Sequence, residues 1–156
     1  MPSASASITR PNDTTAYAAL DVVGPASGTS ALAFNVGPAD GGDVLIRGVS
    51  LRIDANALIA SEAGYRLHFY NVTPPSALAD NAPWDLPSGD RDAYLGFLDT
   101  GTIVDVGSTL WVESNGLAKP VKLLSGTLYA YLATVAGHTP TAQRVYTATV
   151  HTETRF

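Results

Sequence analysis

The side chains able to act as nucleophile, base or metal ligand are few and dispersed. The 156-residue chain has no cysteine and three histidines. Thiolate catalysis, Cys-ligated zinc, iron–sulfur clusters and disulfides are thereby excluded. The serine elbow G-x-S-x-G is missing, and so is the zinc pattern H-E-x-x-H. A Ser/His/Asp triad assembled from distant positions stays formally open. So does a carboxylate pair for glycoside hydrolysis, which needs two acids in one cleft. Glu62, Glu113 and Glu153 are the only glutamates. His68 and His151 fall on outward strand phases and His138 in the turn Gly137-His138-Thr139-Pro140, so all three are expected at the surface. The glycine-bearing segments 24–28 and 37–42 lack the Lys-Ser/Thr and the following helix of a phosphate cradle.

Calcium takes oxygen ligands from flexible loops. Asp80, Asn81, Asp85, Asp90 and Asp92 lie within 13 residues of one another. The EF-hand spacing is absent, and Asp and Asn commonly bond their own backbone in loops. Turn chemistry is the preferred reading, so neither metal nor cofactor is expected. The two tryptophans differ in setting. Trp111 lies in an apolar run and reads as a core or sheet-face residue. Trp84 sits between Pro83 and Pro87. It can anchor an interface, fold back to cap the core, or offer a sugar platform.

The elements that must position these residues are strands. Gly, Pro, Thr and Ser interrupt every window in which an amphipathic helix could run. Short runs rich in Val, Leu, Ile, Tyr and Phe recur between turn residues. Strands are predicted at 18–23, 30–35, 43–54, 65–72, 93–98, 109–114, 121–124, 127–135 and 144–152. In 43–54 the apolar phase changes at Gly48, which predicts a β-bulge. In 65–72, Leu67 and Phe69 should face inward and Arg66 and His68 outward. In 127–135 both phases are apolar or aromatic, so that strand should be central and covered on both sides. Segment 56–64 reads as a loop or one helical turn. Together these give an all-β, antiparallel β-sandwich of jelly-roll or Greek-key type with about eight to ten short strands.

One domain is expected over 12–156, preceded by an N-terminal arm at 1–11 whose small residues should be mobile unless a partner holds them. Residues 73–92 form a long irregular insertion. Loops of about that length are uncommon in compact domains unless they have a job. The start of the chain has neither the basic flank nor the apolar stretch of a signal peptide, and no window is long and apolar enough for a membrane span.

The formal net charge is −5. Charged residues make up 15% of the chain, against about 25% on average. Lys119 and Lys122 are the only lysines, and the seven arginines are scattered. Without a basic stripe, no nucleic-acid partner is expected.

Three segments carry a family likeness. They are the opening Ile8-Thr9-Arg10-Pro11-Asn12-Asp13-Thr14-Thr15-Ala16-Tyr17, the stretch from Arg66-Leu67-His68-Phe69-Tyr70-Asn71-Val72-Thr73-Pro74-Pro75 to Trp84-Asp85-Leu86-Pro87-Ser88-Gly89-Asp90-Arg91, and Thr139-Pro140-Thr141-Ala142-Gln143-Arg144-Val145-Tyr146. Together they resemble small virion proteins of tailed bacteriophages and prophages. The resemblance implies a jelly-roll head decoration, or cement, protein: a homotrimer on the virion surface, bound to the major capsid protein. It carries no catalytic motif. Contacts with a partner are expected from the arm and the insertion, through Ile8, Arg10, Pro11, Pro74, Pro75, Trp84, Leu86 and Arg91. The alternative is a tail-fibre, baseplate or receptor-binding module that recognises a host glycan or surface. A small hydrolase on a β-sandwich is the third reading.

Overall fold

A computed structural model describes residues 1–154. Ten antiparallel strands form two stacked sheets. They are β1 (Ser3–Thr9), β2 (Val22–Val23), β3 (Leu32–Asn35), β4 (Gly42–Ile53), β5 (Tyr65–Tyr70), β6 (Tyr94–Asp99), β7 (Val104–Asp105), β8 (Leu110–Leu123), β9 (Thr127–Thr134) and β10 (Val145–Thr154). The first sheet has the order β1-β10-β4-β8-β7. The second has the order β2-β9-β5-β6, with β3 also paired to β9. The architecture is the expected all-β sandwich of jelly-roll type.

Alternation sets which residues meet between the sheets. Val49, Leu51 and Ile53 of β4, Leu67 and Phe69 of β5, Leu128 and Leu132 of β9, and Tyr146, Ala148 and Val150 of β10 share one buried cluster. Val44 and Ile46 join it despite their opposite phase, because the register slips between Ile46 and Gly48. The bulge therefore lies where the phase change placed it. Close approach to β8 favours glycine at position 48. A Cβ at this position would stand 2.8 Å from Asn115 Oδ1 and 3.2 Å from the Ser114 carbonyl oxygen.

Several boundaries differ from expectation. The predicted strands 109–114 and 121–124 are one strand, β8, which passes through Gly116 in the left-handed region at φ +71°. Of 18–23 only Val22–Val23 is a strand, since Leu20 turns the chain at φ +68°. Segment 56–64 is a loop. The largest difference is at the N-terminus. Ser3–Thr9 is an edge strand, laid in unbroken register from Ser3↔His151 to Thr9↔Val145. Ser and Ala are weak strand formers, so pairing with β10 decides its conformation and local preference does not.

Candidate interaction surface

The outward side chains of β5 and β9 build a second, smaller core on the far face of the second sheet. Val22, Tyr70, Ala93 and Tyr131 are buried there, with Leu78, Trp84, Leu86, Tyr94 and Tyr129 packed against them. The covering layer is the 73–92 insertion. Tyr131 grips it twice: its hydroxyl donates to the Ser76 carbonyl at 2.9 Å and accepts from Leu78 N–H at 3.2 Å. Backbone bonds bind it alongside β2: Val22 N–H to Ala82 O and Asn81 N–H to Val22 O, both 2.8 Å, and Trp84 N–H to Leu20 O at 2.9 Å. Asp90 accepts from the hydroxyl and N–H of Ser76 at 2.9 and 3.2 Å, closing the insertion on itself.

Trp84 folds back. Its ring stacks on His68 at 3.6 Å between centroids and 14° between planes. Its Nε1–H donates to the Tyr70 hydroxyl at 3.2 Å. Half-burial leaves part of the ring at the surface. Burial pushes Tyr70 up to about 12. His68 shares a 2.9 Å hydrogen bond with the Tyr94 hydroxyl through Nδ1. It is 2% exposed, and burial, aided by the nearby Arg66 charge, lowers its pKa to about 3. The outward phase predicted for His68 is correct, but solvent exposure is not, because the insertion roofs that phase. His138 is also buried, packed edge-on to Tyr17 and Tyr65. Burial lowers its pKa. A surface site for His138 is thus also corrected.

Two buried ion pairs lock one end of the sandwich. Arg10, 2% exposed, donates to the Tyr17 hydroxyl at 2.6 Å and to Asp13 at 3.2 Å, and lies 3.6 Å from Asp80. Asp80 also accepts from the Tyr17 hydroxyl at 2.6 Å and from Gly24 N–H at 2.8 Å. The segment after β1, the turn after β2 and the insertion therefore meet at one carboxylate. Arg144 holds Glu62 with two bonds of 2.8 and 3.2 Å, and Tyr65 donates to the same carboxylate at 2.6 Å. Burial alone would raise the Glu62 pKa, but the bonds from Arg144 and Tyr65 outweigh it and hold the acid ionised. An ionised, doubly clamped carboxylate is suited to holding strands together and unsuited to donating a proton.

The other two glutamates take ordinary surface positions. Glu153 pairs with Arg47 at 2.9 Å, and Glu113 accepts from Trp111 Nε1–H at 3.4 Å. Trp111 is a sheet-face residue, 37% exposed. Among the described residues, no group of three or more His, Asp or Glu is placed to hold a metal ion. No helix of the described residues is long and apolar enough to cross a membrane.

The expected contact residues separate into two groups. Ile8, Arg10 and Pro74 are buried, and offer no surface to a partner. Pro11, Trp84 and Leu86 are half-buried, and Pro75 and Arg91 are exposed. The structure joins the two predicted elements, since Arg10 at the end of the arm reaches Asp80 in the insertion. Pro11, Asp13, Ala79, Asp80 and Asn81 line a shared surface pocket. The Glu62–Arg144 clamp was not anticipated. A lone glutamate near a glycine is its only trace in the sequence.

No family model matches this chain, and no curated protein matches it. Among solved structures it is similar to the K3 cleaved adhesin domain of Lys-gingipain from Porphyromonas gingivalis w83, at 14% identity and TM-score 0.30, over 80% of this chain and 63% of that one. It thus spans less than two thirds of that domain. It is also similar to a chain of the Kashmir bee virus empty particle, at 16% identity and TM-score 0.25, over 96% of this chain and 92% of that one. A chain of Mud Crab Dicistrovirus is a further match, at 10% identity and TM-score 0.29, over 97% and 68%. Similarities this slight carry no argument about function.

Proposed function

We propose that this chain is a structural protein of a virus particle, and specifically a tailed-bacteriophage head decoration protein that binds the outer surface of the major capsid shell. The observation that carries the reading is the use made of the insertion. Residues 73–92 cover the outer face of the second sheet, and three of their side chains are spent on the fold: Asp80 on Arg10 and Tyr17, Asp90 on Ser76, Trp84 on His68 and Tyr70. A loop fixed in this way acts as a rigid surface layer. Its outward residues, Pro75, Leu86 and Arg91 with the free part of Trp84, suit a broad contact in which many weak interactions add through multiple attachment. The sequence likeness to phage virion proteins points the same way.

The test is co-sedimentation of the purified protein with phage heads that lack it. Saturable binding to heads and none to tails is expected. Binding to a host glycan or cell surface, with none to heads, would replace the proposal with the receptor-binding alternative.

A further inference from the structure

Among the described residues, nothing pairs with the outer edge of β1. Arg10 N–H bonds to Arg144 O, and Thr152 N–H bonds to Pro2 O. The even-numbered residues between them, Ala4, Ala6 and Ile8, therefore turn their backbone groups toward β10. Ser3, Ser5, Ser7 and Thr9 turn theirs away, because successive residues of a strand address opposite sides. Four N–H and four C=O groups stand along one straight edge.

Sheet edges of this kind are normally guarded by charge, proline, a bulge, shortness or a cover. Every other edge of this sandwich has such a guard. β2 is covered by the insertion through Ala82 and Asn81. β3 has four residues and β7 has two. β6 is kinked by Gly96 at φ +89°, opposite a register slip at Phe69/Tyr70. Beyond β7, the long β8 carries Lys119, Pro120 and Lys122, and these are the only two lysines in the chain. β1 has seven residues, no charge, no proline and no bulge.

We propose that this edge pairs antiparallel with β1 of a second copy of the chain, joining two first sheets into one continuous sheet. The sequence of β1 is self-complementary for such a pair. A two-fold axis at Ala6 sets Ser5 opposite Ser7, Ala4 opposite Ile8 and Ser3 opposite Thr9. Hydroxyls meet hydroxyls on the outer face, and apolar side chains meet apolar ones on the core face. No like charges oppose each other, because the strand has none. Ala4 and Ala6 are only partly buried at the flank of the core, and a neighbouring copy would complete their cover. On the outer face, Ser5 and Ser7 are held back by Thr149 and Thr147 at 2.7 and 2.8 Å, so nothing projects to block approach.

Sedimentation equilibrium over a dilution series tests this. The wild-type mass should rise with concentration from 16.2 kDa toward twice that value. Ser7→Pro removes an outward N–H and leaves the β1–β10 ladder intact, so it should remain monomeric with an unchanged Tm. The double variant Ser5→Lys, Ser7→Lys places lysines opposite one another and should also remain monomeric, which covers the case that the proline perturbs the fold. Amide exchange at Ser5 and Ser7 should slow as the wild type dimerises. A wild type that stays at 16.2 kDa throughout, a trimer, or a dimer that both variants retain would overturn the proposal. So would Ser5 and Ser7 amides that gain protection only when capsid shells are added, since the edge would then belong to a different partner. Head binding is measured separately, so either proposal can fail alone.

Discussion

On the second sheet, the outward residues Tyr70, Tyr129 and Tyr131 meet an apolar layer formed by Trp84, Leu78 and Leu86 of the insertion. On the first sheet, the matching outward positions hold Ser5, Thr149, Ser50 and Glu113 in one cross-strand row, and Ser7, Thr147, Arg52 and Trp111 in the next. Both sheets fill the shared core in the same way. They differ in what their other face requires. Large aromatic side chains outside a sheet need a cover, and the insertion supplies it. The hydroxyl and charged side chains that dominate the other face need none, and Trp111 is its lone large aromatic, partly exposed, so that face and its β1 edge are left open. The long loop is thus a third layer of the fold as well as a surface, and the polar face is the part of the molecule with bonding capacity to spare.

Mutations should separate the two faces sharply. Tyr131→Ala removes a buried aromatic and both hydroxyl bonds to the insertion, and should cost about 3–5 kcal/mol in denaturant unfolding. Tyr131→Phe, which keeps the ring but strands Leu78 N–H and Ser76 O, should cost about 1–3 kcal/mol. If Tyr131→Ala is nearly neutral, the insertion is not a structural layer.

Asp80→Ala tests how the layer is pinned. It leaves the buried Arg10 with Asp13 as its only carboxylate and deprives Tyr17 and Gly24 of their acceptor. A loss of about 2–4 kcal/mol is expected, with faster proteolysis inside 73–92. Little or no loss in an Arg10→Met, Asp80→Leu pair would show that packing, and not charge, is the pin.

Acid should act on the covered face. His68 is held neutral in the folded protein, with a pKa lowered to about 3 from an ordinary 6.5. Its contribution is intact above pH 6.5. Below that the unfolded chain binds a proton that the folded chain refuses, so stability falls as pH drops from 6.5 toward 3. The slope is at most about 1.4 kcal/mol per pH unit. His68→Phe should flatten that part of the pH profile in thermal melts. His138, lowered in the same direction, would remain as a residual slope.

The smallest effect belongs to the open face. Thr149→Ala breaks a solvent-exposed hydroxyl pair with Ser5 and should change stability by less than about 0.5 kcal/mol.

The sequence made the inner faces legible because β4, β5, β9 and β10 carry apolar residues at period two, and even the Gly48 bulge announced itself as a change of phase. β1 was hidden because Ser-Ala alternation has no strand signature of its own, so only its partner reveals it. The double burial of β9 was legible from Tyr129 and Tyr131. That the roof over them is 73–92 was not, since an irregular segment has no periodicity to show which way it folds. The ion pairs were out of reach for a simpler reason. Arg10 and Asp80, or Glu62 and Arg144, are distant in sequence, and a charged residue in a loop looks the same whether it ends in water or against a buried partner.

The central claim is that this sandwich is a virion surface protein. Cryo-electron microscopy of the assembled particle, at side-chain resolution, tests it most directly. The account predicts ordered density for the two-sheet sandwich on the outside of the capsid shell, with the outward residues of 73–92 against major capsid subunits. Density confined to the tail, or a shell that carries none of this protein, would contradict it.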